Sequence, residues 1–116
     1  MSIQAYQRSA KQAESPRDLE YRAFAHVTRK LIVAKDRGRA DVVMFVNAIS
    51  ENRRLWSALA DDCAQPGNRL PHVLRAQIIS LALWVSRHGR LALQDASALD
   101  DLIDVNRNMM EGLAAR

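Results

Sequence analysis

Few side chains in this sequence belong to the types that carry chemistry, and their spacing keeps them apart. The three histidines, His26, His72 and His88, are distant from one another, and none has a partner at metal-ligand spacing. Cys63 is the single cysteine and has no CxxC companion, so no zinc centre, redox dithiol or intrachain disulfide is expected. Asp61-Asp62 and Asp100-Asp101 are adjacent carboxylates. On a helix such neighbours point in different directions, so neither pair can work as general acid and base. No glycine-rich phosphate loop is present, and no serine is framed as a nucleophile. These features predict a protein that is not an enzyme and that holds neither metal nor cofactor. What remains for it is binding.

One polar pattern recurs. Residues 49–59 and 103–113 both read Ile-x-x-Asn-Arg-x-(Leu/Met)-(Trp/Met)-x-x-Leu. Asn52 falls three residues after Ile49 and four before Trp56, which puts an amide on an apolar stripe. Asn106 holds the same place relative to Ile103 and Met110. A buried amide left without partners costs ~1–3 kcal/mol, so both are expected to form a structural polar core, tying each helix to a neighbouring helix end. The competing reading sets Arg53 and Arg54 at the rim of a groove, where they grip a partner's carboxylate. Trp56 and Trp84 also lie on apolar stripes, which suits either core packing or the wall of a groove. The Met109-Met110 pair suits either core filling or an adaptable contact surface.

The elements that must position these groups are helical. Ser15-Pro16-Arg17-Asp18 reads as a helix start, with Ser15 as cap and Pro16 in the first turn. Upstream, residues 3–13 form a short candidate helix with Tyr6, Ala10 and Ala13 on one side, marginal unless it docks. Phe24, Val27, Leu31 and Ala34 continue a stripe that Gly38 ends. From about Ala40 to Cys63 the stripe is Val42, Phe45, Val46, Ile49, Trp56, Leu59, Ala60 and Cys63, interrupted at Asn52-Arg53. Gln65-Pro66-Gly67-Asn68 is a turn, with positive φ expected at Gly67. Pro71 opens the next helix, striped with Leu74, Ile78, Leu81, Val85 and His88 and apolar on other faces too, with Gly89 just beyond its apolar run. A helix apolar nearly all round belongs in the middle of a bundle or presents a groove. The last helix runs from Ser97, its expected cap, to about Leu113. Together these predict an all-α, single-domain bundle over residues 1–116, with four main helices plus the short N-terminal one.

The chain has 116 residues, 48% hydrophobic and 26% charged, a composition of ordinary globular domains. Net charge is +4 and alternates along the chain: +5 over residues 1–40, −2 over 41–66, +4 over 67–94 and −3 over 95–116. Alternating signs predict basic and acidic helices side by side as much as an external polyanion. The longest apolar run, Leu81-Ala82-Leu83-Trp84-Val85, is far short of the ~20 residues of a membrane helix, and no signal peptide is recognisable. A soluble cytoplasmic protein without membrane insertion is the expectation.

Several uncommon motifs occur in order: Ala5-Tyr6-Gln7, Ser15-Pro16-Arg17 with Glu20-Tyr21-Arg22, Asn52-Arg53-Arg54-Leu55-Trp56, and Asn68-Arg69-Leu70-Pro71. Leu74-Arg75-Ala76-Gln77-Ile78-Ile79-Ser80-Leu81, Trp84-Val85-Ser86-Arg87 and Ile103-Asp104-Val105-Asn106-Arg107 follow. In these the chain resembles, over essentially its whole length, the FlaF flagellar-biosynthesis proteins of alphaproteobacteria. Gly89-Arg90 and residues 95–97 look unconstrained. The resemblance implies a cytoplasmic protein that binds unassembled flagellin as a chaperone, supports filament assembly and regulates flagellin synthesis opposite a second regulator, FlbT. The partner would be an amphipathic terminal helix of flagellin in an apolar groove. Leu55, Trp56, Ile78, Trp84 and Met110 are the expected walls, with Arg53, Arg54 and Arg75 at the rim. The alternative is a regulator that binds flagellin mRNA directly, through Arg8, Lys11, Arg17, Arg22, Arg29 and Lys30 and the acid-free 67–94 segment.

Overall fold

The computed structural model describes residues 16–115, which are helical apart from short connections and contain no strand. Helix α1 spans Pro16–Arg37, α2 Val42–Ala64, α3 His72–Gln94 and α4 Leu99–Ala114. Short 3-10 turns at Gly38–Ala40 and Ala96–Ala98 lead into α2 and α4. The all-α fold with four main helices is therefore present. The helix expected over residues 3–13, and the cap expected at Ser15, lie outside the described residues.

Local chemistry accounts for the boundaries. Gly38 takes φ +62°, the left-handed conformation that ends α1. Asp41 caps α2, its Oδ1 accepting from the Met44 amide at 3.1 Å. Pro71 precedes α3 instead of standing in its first turn; its carbonyl accepts from the Arg75 amide at 3.0 Å. The cap expected at Ser97 does not form: α4 begins without a side-chain cap, and Asp95 caps the 3-10 turn that leads into it. Asp95 Oδ1 accepts from the Ser97 amide at 3.0 Å and its hydroxyl at 2.6 Å, and these bonds hold the carboxyl below its ordinary range. The 65–68 turn forms, but Gly67 does not adopt positive φ; among the described residues only Gly38 does. Asn68 removes the need. Its amide donates to the Gln65 carbonyl at 3.1 Å, its Nδ2 to the Asp62 carbonyl at 3.1 Å, and its Oδ1 accepts from Leu70 N at 3.0 Å.

Gly89 corrects a second expectation. It does not stand unconstrained, for the helix runs on through it to Gln94 and buries Gly89 against α2. A Cβ there would come 3.3 Å from Ile49 Cγ2, so the missing side chain lets the two helices approach closely.

α2 packs along α3, and α1 packs along both α2 and α4. α3 and α4 touch much less. Phe24, Leu31, Phe45, Ile49, Trp56, Val85, Leu99 and Leu102 form the core. Each such burial supplies ~1.5–3 kcal/mol. α3 is not a central helix: Leu83 is 55% exposed and Leu91 49%. The alternating charges meet across helices, as Lys30 with Glu51 at 2.7 Å, Lys35 with Asp100, and His88 with Asp101 at 2.9 Å. Hydrogen bonding from Lys30 lowers the Glu51 pKa.

Gly89→Val should overpack the α2–α3 crossing and lower unfolding free energy by ~1–3 kcal/mol in urea titrations. Cys63 is fully buried, and burial, with the Asp62 carboxylate adding, raises its thiol pKa. Folding thus favours the neutral thiol, a contribution complete below the unfolded thiol pKa and lost as pH rises through the folded value. Iodoacetamide at pH 8 should therefore modify Cys63 only at the rate at which the chain opens, and rapidly once denaturant is added.

Candidate functional site: an open apolar groove over a polar junction

At the centre of the core the two repeated asparagines face each other. Trp56 is wholly buried and its ring meets Phe24 edge-on, centroids 5.3 Å apart. Its Nε1–H can only donate, and it does so to Asn106 Oδ1 at 2.9 Å. That fixes the Asn106 amide, whose Nδ2 donates to Asn52 Oδ1 at 2.7 Å and Thr28 Oγ1 at 3.2 Å. Thr28 in turn gives its hydroxyl proton to the Phe24 carbonyl at 2.6 Å; Met110 Sδ, at 3.9 Å, is the weaker alternative for the same proton. One amide thus joins α1, α2 and α4. The asparagines tie helices at mid-length, to each other, and not to helix ends.

Beside this junction lies an open groove of about 640 Å³. Its walls are Leu74, Ile78 and Leu81 from the first half of α3 and Val105, Met109 and Leu113 from the middle and end of α4. Phe24 of α1 and Leu59 of α2, with the wholly buried Trp56 beneath, line it from the core side, and Leu70 completes the lining. Glu20, Asp62, Arg69 and Asn108 supply polar groups. The groove exists because α3 and α4 share a tight connection at 95–98 and diverge from it, so the ends remote from that turn leave their apolar faces apart. Leu81 is 37% exposed there, although it continues a stripe whose later members, Val85 and Ala92, are sealed.

Of the residues expected to bind a partner, Trp56 and Ile78 border this groove. Leu55 and Met110 are half-buried and pack against the core. Trp84 stacks on His88 with centroids 4.5 Å apart, and His88 reaches Asp101 on α4. Arg53 and Arg54 are exposed on α2 and do not border the groove. Arg75 is engaged within the chain, donating to the Cys63 carbonyl at 2.6 Å and the Gln65 carbonyl at 3.0 Å, where it secures the end of α2. The wall residues not expected as such are Leu74, Leu81, Val105 and Leu113, whereas Met109 was read as core filling or an adaptable contact. The main stripe of α3, on which Leu74 and Leu81 stand with Ile78, was the available signal for the first two.

Among the described residues no group of His, Cys, Asp or Glu could hold a metal ion, and no helix is long and apolar enough to cross a membrane. The fold and its site define an all-helical protein with an apolar groove between splayed helices. Residues 2–113 match the family model described as flagellar protein FlaF. The chain belongs to the FlaF family of flagellar proteins. No significant match was found to a curated protein or to a solved structure.

Asn106→Ala strips partners from Trp56, Asn52 and Thr28 at once. Each buried group left unpaired costs ~1–3 kcal/mol, so unfolding free energy should fall by at least ~2 kcal/mol in denaturant titrations. Trp56→Phe, which orphans one acceptor, should do less damage.

Proposed function

We propose that this chain binds unassembled flagellin by seating one of its amphipathic terminal helices in the α3–α4 groove. It would do so in the cytoplasm, supporting secretion and filament assembly. Sequestering flagellin in this way would also let the protein regulate flagellin synthesis, in the functional relation to FlbT that the resemblance implies. The observation that carries the reading is a large open groove with two apolar walls in a chain of a flagellar family. A helix bound there would present i, i+3, i+4 and i+7 anchors to the two walls at once. Met109 supplies an adaptable contact. Arg69, at the rim, takes the carboxylate-gripping role that the sequence pattern offered for Arg53 and Arg54. Trp56 contributes from beneath, as the support of the floor.

Direct binding of flagellin mRNA is the weaker reading. Lys30 and Lys35, in the basic N-terminal region, are paired with acids of other helices. The sequence carries no RNA-module signature.

Titration of the folded protein with peptides from both flagellin termini tests the proposal. One terminus should bind, and Leu81→Asp should weaken it about thirtyfold, a hot-spot effect of ~2 kcal/mol. Leu81 is exposed enough for thermal unfolding to stay close to wild type. Absence of association with either terminus, together with steeply salt-dependent binding of the flagellin leader RNA, would replace this reading by the other.

A further inference from the structure

The groove opens at the root of the N-terminal segment. Glu20 and Phe24, one and two turns into α1, border it, so residues 1–15 join the described chain at the groove's own margin. Ile3, Tyr6, Ala10 and Ala13 recur at spacings of three and four, one apolar stripe on a stretch too short to be helical without a surface. Such a helix of eleven residues, 3–13, is about 16 Å long. Proline at position 16 disfavours helical backbone at Ser15, which favours a break between the 3–13 stripe and α1. A break there lets the stripe fold back toward Phe24. Charge agrees: the segment carries Arg8 and Lys11 against Glu14, and the groove's described lining carries Glu20 and Asp62 against Arg69.

We infer that residues 3–13 of the chain are the groove's resident helix, seated with Ile3, Tyr6 and Ala10 between α3 and α4, and that a partner helix must displace them. A tether of a few residues gives the segment an effective concentration of order mM, so it holds the groove against dilute, weakly matched helices. A better-matched partner wins by differential affinity. The free protein then exposes less apolar surface, and loading of the groove becomes selective. Seating stands on the described geometry and the sequence; displacement by flagellin rests also on the function proposed above.

The test uses the full chain with a nitroxide on Gln4→Cys. Gln4 lies on the polar side of the stripe and twelve residues from Pro16, so the tether alone does not impose proximity. Cys63, fully buried, stays unlabelled in the folded protein. Seating predicts that methyl resonances of Leu74, Leu81, Met109 and Leu113 lose more than half their intensity relative to the reduced label. Those of Val42 and Val46, near the start of α2 and far from the groove, keep theirs. Tyr6→Asp on the same labelled chain should restore the groove signals. Uniform intensities, or losses on another face, would overturn the proposal. Adding the flagellin terminal peptide separates the two claims. Restored groove signals support displacement, and a bound peptide with the losses unchanged overturns it. A peptide that fails to bind even the Tyr6→Asp chain rejects the flagellin reading while the seating result stands.

Discussion

The side-chain amide of Asn106 is the interaction on which the arrangement depends. It accepts from Trp56 and donates to Asn52 and Thr28, so three helices are referenced to one planar group. Apolar packing alone tolerates sliding by a turn. A buried amide does not, because a slipped register strands its donors and acceptors in a medium without water. The geometry also leaves no choice of orientation: an indole N–H cannot accept, so the carbonyl side must face Trp56 and the amino side must face Asn52. The repeated Ile-x-x-Asn-Arg pattern is thereby explained. Its two copies meet, one on α2 and one on α4, with Ile49 and Ile103 buried beside the junction and Arg53 and Arg107 pointing outward.

From that fixed point the groove follows. The junction holds α4 against α1 and α2, while Gly89 draws the second half of α3 down onto Ile49. A short capped turn at Asp95 joins α3 to α4. With the two helices held at that end by different neighbours, their far ends diverge, and residues that would otherwise meet face an opening. An apolar groove is thermodynamically exposed until something covers it. A flagellar family membership, a wall of Leu, Ile, Val and Met, and a polar margin are what the proposed binding of an amphipathic helix rests on.

Electrostatics supports this division of labour. The basic stretch of α1 is used internally, Lys30 toward α2 and Lys35 toward α4, and His88 bridges α3 to α4. These pairs are partly exposed and each contributes little to stability. Their larger effect is on pairing, since exchange of neighbours would bring like charges together. The positive net charge is therefore partly a record of how the helices choose one another.

Local patterns determined the helical class, the four main helices, the glycine end of α1 and the burial of both asparagines. Each depends on spacing of three and four along one chain, which is legible without knowing what lies opposite. Which side chain holds a turn was not so legible: Asp95 caps the 3-10 turn before α4, where Ser97 was expected to cap the helix, and Asn68 relieved Gly67 of a left-handed turn. The candidate site was the least visible part. Amphipathic spacing says that Leu74, Leu81, Val105, Met109 and Leu113 face something, and it cannot distinguish a neighbouring helix from a gap. Periodicity likewise put Trp56 on a buried face, whereas only tertiary structure made it the support of the groove floor. Gly89 looked unconstrained because its role, closeness to Ile49, belongs to a pair of residues forty positions apart in sequence. One chain's pattern specifies which face is apolar; the relative angle of two helices, set by a third and a fourth, decides whether that face is core or site.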